Sequence, residues 1–217
     1  MLKPTISPAA AIAATRRAVG LPQDVRLRNG SWVQIRGVRP NDANRFDSFV
    51  AKLSVAARDE RFGPAFNEMT TAMLVDLLNV DGIGRAAFVA TLMSGHEEQV
   101  IGEARYRVDE AGESATLTLV VTDIWQGQGL GELMLERLLV AARDAGVRRL
   151  VGSVAPSNRP MLRLMQRMGF AARGQGVDRR LLRMERTVVQ QLPQPPAPRP
   201  MDLLRRWLNN QLFQFGF

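Results

Sequence analysis

The sequence lacks cysteine altogether, and it contains a single histidine among its 217 residues. Without cysteine the chain forms neither disulfides nor thiolate metal sites. The one histidine, His96, stands beside two acidic residues in the turn-like stretch MSGHEEQ, and we expect it to be a solvated loop residue. A metal centre needs several ligands close together, and the sequence offers too few near His96. The sequence therefore predicts no metal site and no catalytic triad built on histidine.

Long hydrophobic runs are missing as well, so the sequence predicts no membrane-spanning segment. The N-terminus has no acidic residue before Asp24, but its apolar stretch AAAIAA is too short for a secretory signal. Two arginines in this region leave a transit peptide as an alternative. We predict instead a short leader over residues 1–24 and a cytoplasmic protein.

The charge is strongly basic, at +8 with 29 Lys and Arg against 21 Asp and Glu. Arginines are densest in the C-terminal half, from Arg148 to Arg186. Such an excess suits a nucleic acid, an anionic cofactor or an acidic protein surface. Because no helix-turn-helix, zinc-finger or aromatic-stacking pattern accompanies the arginines, we predict an arginine-rich surface rather than a nucleic-acid site.

Hydrophobic periodicity predicts one domain of strands and helices over residues 25–188. A strand near residues 32–38 precedes two or three helices, and a meander of three strands follows, with turns at SGHEEQ and DEAGE. The order then becomes helix, strand, helix and two short strands. This order indicates an α/β (α+β) fold with a mixed, mainly antiparallel central sheet flanked by helices.

Two segments follow this domain. Residues 189–200 are rich in proline and glutamine, which predicts an extended linker. Residues 201–217 carry leucines, a tryptophan and a phenylalanine at helical spacing. We predict an amphipathic C-terminal helix that packs on its own domain or on a second subunit, with membrane-surface binding as the alternative.

The stretch VVTDIWQGQGLGELMLERLL joins a strand to a glycine-rich loop and a helix. Gly127, Gly129 and Gly131 alternate just before the helix, where free N–H groups and the helix dipole favour an anion. The loop has no lysine, which a Walker A loop requires. It also lacks the G-x-G-x-x-G spacing, and the next strand carries no acid for a ribose. These residues alone leave a phosphate site and a structural turn as two interpretations.

Two separate motifs resemble those of the GCN5-related N-acetyltransferase (GNAT) family. Gln126, Gly129 and Gly131 fit the family's Arg/Gln-x-x-Gly-x-Gly/Ala pattern. Further on, NRPMLRLMQRMGF is similar to its second motif, with Asn158 at a helix start and Gly-Phe at the end. The resemblance covers roughly residues 31–186 and agrees with the strand order. Within the family, the chain looks like the acetyltransferase domain of bacterial protein lysine acetyltransferases.

The resemblance implies acetyl-CoA as cosubstrate and no metal. The pyrophosphate would lie on the loop N–H groups and the Gln126 side chain. The pantetheine arm would run between the strand before the loop and a splayed strand at residues 150–154, with Asn158 near the thioester. The residues that the resemblance assigns to acetyl-CoA binding are Leu119, Val120, Val121, Gln126, Gly127, Gln128, Gly129, Leu130, Gly131 and Asn158.

The resemblance also implies direct attack of an amine on the thioester in a ternary complex, with a protein lysine as the favoured acceptor. Two positions depart from the family's pattern. Thr116 stands where the lysine acetyltransferases carry a catalytic glutamate, and Met165 stands where many members have a tyrosine general acid. Glu103 is then the candidate general base. As alternatives, Glu103 is a solvent-facing strand residue or forms an ion pair with Arg105 or Arg107. Asp123 is a second carboxylate, which we expect to order the loop.

These departures leave three functions open. The first is acetylation of a protein lysine, and the second is acetylation of a small amine. The third is a non-catalytic acyl-CoA sensor that binds a partner through its C-terminal helix.

Overall fold

The computed structural model describes residues 21–175 and 180–188. The predicted linker at 189–200, the predicted C-terminal helix at 201–217 and most of the predicted leader lie outside these residues. The described chain forms one eight-stranded sheet in the order β1-β2-β3-β4-β5-β6-β8-β7, in which only the β5–β6 pair is parallel. The predicted mixed, mainly antiparallel sheet flanked by helices is confirmed.

From β2 onward the elements follow the predicted order. The strands are β1 Gln23–Arg26, β2 Trp32–Gly37, β3 Arg85–Ser94, β4 Glu97–Val108, β5 Ser114–Val121, β6 Arg149–Val154, β7 Ala171–Gln175 and β8 Leu182–Thr187. The α-helices are α1 Ala43–Ala51, α2 Val55–Phe62, α3 Thr71–Leu78, α4 Leu130–Asp144 and α5 Arg159–Arg167. Short 3-10 turns at Pro40–Asp42 and Asp123–Trp125 precede α1 and the glycine-rich loop.

Strand β1 was not predicted from the sequence. It pairs with β2 through a turn at Asn29 and Gly30, and it begins at Gln23, inside the stretch predicted as a leader. Only Val25 of its four residues is buried. A four-residue edge strand with one apolar side chain gives no alternating pattern to detect.

The sheet is covered on both faces. One core lies between the sheet and the helices α4 and α5, and it includes Leu117, Met134, Leu138 and Met165. The other core lies under α1 and α3, where Phe46 and Leu77 pack with Val89 and Val120. Because side chains alternate along a strand, β5 sends Leu117 to the first core and Val120 to the second.

The strands β5 and β6 separate part of the way along their length. They pair only from Ser114 to Thr116, against Arg149 to Val151. Beyond this point both strands are well formed, but they no longer pair with each other, so a gap opens within the sheet. The predicted splay of the strand at 150–154 is therefore present.

No helix of residues 21–175 or 180–188 is long and apolar enough to cross a membrane.

Candidate functional site

A cleft of about 600 Å³ occupies the gap between β5 and β6. We call it the donor cleft. Most residues that the sequence analysis assigned to cofactor binding line it: Leu119, Val120, Val121, Gln126, Gly127, Gly129, Gly131 and Asn158. Two assigned residues differ, because Gln128 is not among the lining residues and Leu130 is buried in the core at 1% exposure. Leu130 can therefore contribute only its backbone.

The glycine-rich loop has the backbone of an anion site. Gly127 and Gly129 have φ of 73° and 90°, a left-handed backbone conformation that residues other than glycine rarely adopt. The helix α4 starts directly after Gly129, and the first hydrogen bonds of its turn run from Glu132 and Leu133 to the Gly129 carbonyl. The backbone N–H groups of the residues just before Glu132 in the chain lie at the positive end of the helix dipole.

Gln126 and Arg28 hold this loop from two sides. Gln126 Nε2 donates to the Val121 carbonyl at 3.0 Å and so ties the loop to the end of β5. The Arg28 backbone N–H donates to the Gln128 carbonyl at 3.1 Å. Its guanidinium lies over Gly129 and 3.7 Å from Glu132, and Arg28 also lines the donor cleft. The phosphate contact expected of the Gln126 side chain stays a prediction.

Asn158 joins two helices at the mouth of the donor cleft. Its Oδ1 accepts from the Met161 N–H at 3.0 Å, which confirms it as the N-cap of α5. Its Nδ2 donates to the carboxylate of Glu60, in α2. Both residues line the cleft, so a side chain of α2 stands where the resemblance places the pantetheine arm. No sequence pattern pointed to Glu60, because it lies about 100 positions away from Asn158 in the chain.

Glu103, the candidate base, is fully buried between two guanidinium groups. It accepts from Arg61 Nε at 2.9 Å and from Arg105. Burial alone raises the pKa of a carboxyl group, but the charges and hydrogen bonds of Arg61 and Arg105 lower the pKa of Glu103 from 4.5 to about 2. A carboxylate with so low a pKa is a weak base. The lining of the donor cleft includes Arg61 and does not include Glu103, so the geometry favours Glu103 as the residue that positions Arg61.

Asp123 anchors α2. It accepts from the backbone N–H and the hydroxyl of Ser54 at 3.1 and 3.0 Å. Ser54 is the N-cap residue of α2. Asp123 therefore fixes that helix beside the glycine-rich loop. The loop-ordering role that we expected of Asp123 stays a prediction.

A second cavity of about 490 Å³ lies on the face of the sheet that α3 covers. We call it the acceptor groove, after the role that we propose for it. Thr116 lines it and is exposed, whereas Met165 is buried in the opposite core at 1% exposure. Arg61 and Thr118 line both the donor cleft and the acceptor groove. The two cavities therefore meet at this pair of residues.

Within the described part of the chain, no group of three metal-ligating side chains is placed to hold an ion. His96 lies exposed in the turn between β3 and β4, as expected.

Comparison of the sequence with known proteins identifies relatives of this chain. The sequence model of the acetyltransferase (GNAT) family matches residues 62–170. Acetyltransferase PA5475 of Pseudomonas aeruginosa is 31% identical over 144 residues, which cover 66% of this chain and 77% of that protein. Acetyltransferase Pat of Mycolicibacterium smegmatis is 31% identical over 149 residues, which cover 68% of this chain and 44% of that protein.

A solved structure shares the fold. The GNAT domain of S. lividans PAT superposes with a TM-score of 0.69 at 24% identity, and the match covers 76% of this chain and 96% of that domain. The loop, the splayed strands and the second motif all lie within residues 62–170, which the family's sequence model matches.

Proposed function

The chain belongs to the acetyltransferase (GNAT) family and is an enzyme that acts with acetyl-CoA, and on this premise we propose that it acetylates protein lysine by direct attack in a ternary complex. The meeting of the donor cleft and the acceptor groove at Arg61 and Thr118 carries this proposal. Two cavities that open onto one point allow donor and acceptor to be held together, so no acyl-enzyme is required.

Binding of acetyl-CoA uses the backbone more than side chains. The N–H groups at the start of α4 and the guanidinium of Arg28 favour the pyrophosphate. The unpaired edge of β5, from Leu119 to Val121, offers backbone groups to the amides of the pantetheine arm. Asn158 and Glu60 stand at the mouth of the cleft and supply polar contacts along the arm.

The transfer is balanced within the two substrates. The amine lone pair attacks the thioester carbonyl carbon, a C–N bond forms and the C–S bond breaks. The proton that the amine nitrogen loses is taken up by the departing thiolate. Since a free lysine has a pKa of about 10.4, the ammonium must first give a proton to water.

The described residues assist that deprotonation without a carboxylate at position 116. Thr116 is no base at neutral pH. The acceptor groove is lined by arginines, among them Arg61, Arg105 and Arg107. Nearby positive charges disfavour the ammonium form of an incoming amine, so the groove itself shifts the acceptor toward the neutral form that attacks.

Three measurements test the proposal. Initial rates with both substrates varied should give intersecting lines, as expected of a ternary complex, and intact-protein mass spectrometry should show no acylated enzyme after acetyl-CoA alone. Peptide mass spectrometry should place the acetyl group on a lysine side chain. Parallel lines together with an acyl-enzyme would refute direct attack. Transfer only to small amines would replace the lysine acceptor with the second candidate substrate.

A second function is favoured by Thr116 and Met165. Both positions lack the proton-transferring side chains of the catalytic pattern, which suits an acyl-CoA sensor that binds a partner. Calorimetric titration with acetyl-CoA, followed by an assay on a panel of peptides and small amines, separates the two. Tight binding without any transfer would support the sensor, and measurable turnover would exclude it.

A further inference from the structure

The acceptor groove lies on one face of the sheet, between three strands and two helices. Its floor carries Thr116 and Thr118 of β5, beside Arg105 and Arg107 of β4, which pair with them across the strands. Arg85 of β3 extends the same floor. Helices α2 and α3 form the wall through Arg61, Phe62, Met73, Asp76 and Leu77.

Positive charge exceeds negative charge in this groove. Asp76 is shared by Arg85 at 2.8 Å and Arg107 at 2.6 Å. In the same way, Glu103 beneath the groove is shared by Arg61 and Arg105. Four guanidinium groups thus face two carboxylates, an excess of two positive charges.

Asp81, the next acid after Asp76 in the chain, does not remove this excess. Asp81, which follows α3, uses its carboxylate to accept from the backbone N–H groups of Ile83 and Arg85, both at 2.8 Å. It is not among the residues that line the groove. Two of these arginines also remain accessible to a ligand, because the side chains of Arg85 and Arg107 are 32% and 55% exposed.

We propose that the acceptor groove binds an acceptor whose reacting amine is flanked by carboxylate groups, such as a lysine within an acidic protein segment. This inference rests on the proposed function, since it takes the groove as the acceptor side of an acetyl transfer. The carboxylates of the acceptor pair with the guanidinium groups that Asp76 and Glu103 leave partly uncompensated. A segment rich in lysine or arginine is repelled by the same groups.

The first experiment compares three peptides of equal length with one lysine each. Glutamates flank the lysine in one peptide, serines in the second and arginines in the third. With acetyl-CoA and the full chain, kcat/KM should be about tenfold higher for the acidic peptide than for the serine peptide, since each partly exposed ion pair gives up to about fivefold. The arginine peptide should be the poorest substrate. Added salt should narrow these differences.

The second experiment uses Arg107→Gln, with Arg148→Gln as a matched control. Arg107 lines the groove at 55% exposure, whereas Arg148 is 71% exposed and pairs with Glu113 at 3.8 Å, outside the groove. Arg107→Gln should reduce the preference for the acidic peptide about fivefold. Arg148→Gln should leave it unchanged.

Binding of the three peptides to CoA-saturated protein separates this inference from the proposed function. Tighter binding of the acidic peptide without transfer would support the groove's preference for acidic acceptors and refute the proposed lysine acetylation. Transfer to all three peptides at equal rates would support lysine acetylation and refute the preference for acidic acceptors. Equal binding of the three peptides, preference for the arginine peptide or no binding would overturn the inference.

Discussion

Arg61 Nε donates to Glu103 Oε2 at 2.9 Å, and this contact joins helix α2 to the middle of β4. Arg61 is 11% exposed, and it lines both cavities at the point where they meet. Glu103 lies fully buried behind it. The pair therefore connects the packing of the second core to the position of a positive charge at the proposed reaction centre.

Glu103→Gln should destabilise the fold by roughly 3 kcal/mol at pH 7, because it leaves Arg61 and Arg105 without their shared carboxylate. Burial raises the pKa of Glu103, but Arg61 and Arg105 outweigh this effect and lower the pKa from its ordinary value of 4.5 to about 2 in the folded protein. A lowered folded pKa stabilises the protein above the unfolded pKa, and this stabilisation is lost as pH falls from about 4.5 through about 2. The difference in unfolding free energy between wild type and variant should shrink over that range.

Urea unfolding at several pH values measures this difference. Glu113→Gln is the control, because Glu113 is 55% exposed and pairs only with surface arginines; it should change stability by less than about 1 kcal/mol. A difference for Glu103→Gln that stays constant from pH 7 to pH 2.5 would contradict the assignment.

Arg28→Gln should weaken acetyl-CoA binding about threefold, since Arg28 is a partly exposed cation beside the glycine-rich loop. Calorimetric titration at low and moderate salt measures the change, which should be smaller at higher salt. Arg148→Gln should leave the affinity unchanged. Equal loss in both variants would show that the loop responds only to the net charge of the protein.

Gly129→Ala should cost about 1–2 kcal/mol of stability, because Gly129 has φ of 90°. Gly112→Ala is the matched control. Gly112 also has a positive φ, of 73°, but it lies in the β4–β5 turn with no atom within 4 Å of an added Cβ. Both variants should lose stability in thermal unfolding, and only Gly129→Ala should also raise the Kd for acetyl-CoA. Normal affinity in Gly129→Ala would mean that the loop conformation does not matter for the donor.

Thr116→Glu should raise kcat about tenfold by placing a general base on the acceptor groove. The gain should stay below the ~10²–10⁴-fold of a well-placed base, since Arg107 pairs opposite position 116 and favours the ionised, weakly basic carboxylate. Thr116→Gln has the same length and no base, and it should show no gain. A pH–rate profile with a new acidic limb in the glutamate variant alone would identify the cause.

Thr118→Val should keep or raise the free energy of unfolding by up to about 1 kcal/mol, because the Thr118 hydroxyl is buried without a hydrogen-bond partner among the described residues. Thr122→Val is the control, since the buried Thr122 hydroxyl donates to the Ile101 carbonyl at 3.2 Å; its loss should cost about 1 kcal/mol. Destabilisation by Thr118→Val that matches the control would reveal a partner for this hydroxyl.

The sequence by itself determined the order of the elements from β2 onward and the position of the glycine-rich turn before α4. Alternating and 3.6-residue hydrophobic patterns predict β4, β5 and α4, because each pattern depends on neighbours a few positions apart. The glycines at 127 and 129 predict the turn before α4 for the same local reason. The sequence also predicted a helix cap at Ser157 or Asn158, since capping involves a backbone N–H only three residues away, and the structure shows that the cap is Asn158.

The tertiary structure alone decided the charges around the site. Arg28 reaches the loop from about 100 positions away, and Glu103 meets Arg61 over a separation of 42 residues. From the sequence Glu103 was a candidate base. Its packing between two guanidinium groups lowers its pKa to about 2, and this makes it a poor base. The pKa of a side chain depends on what surrounds it in space, and no local pattern carries that information.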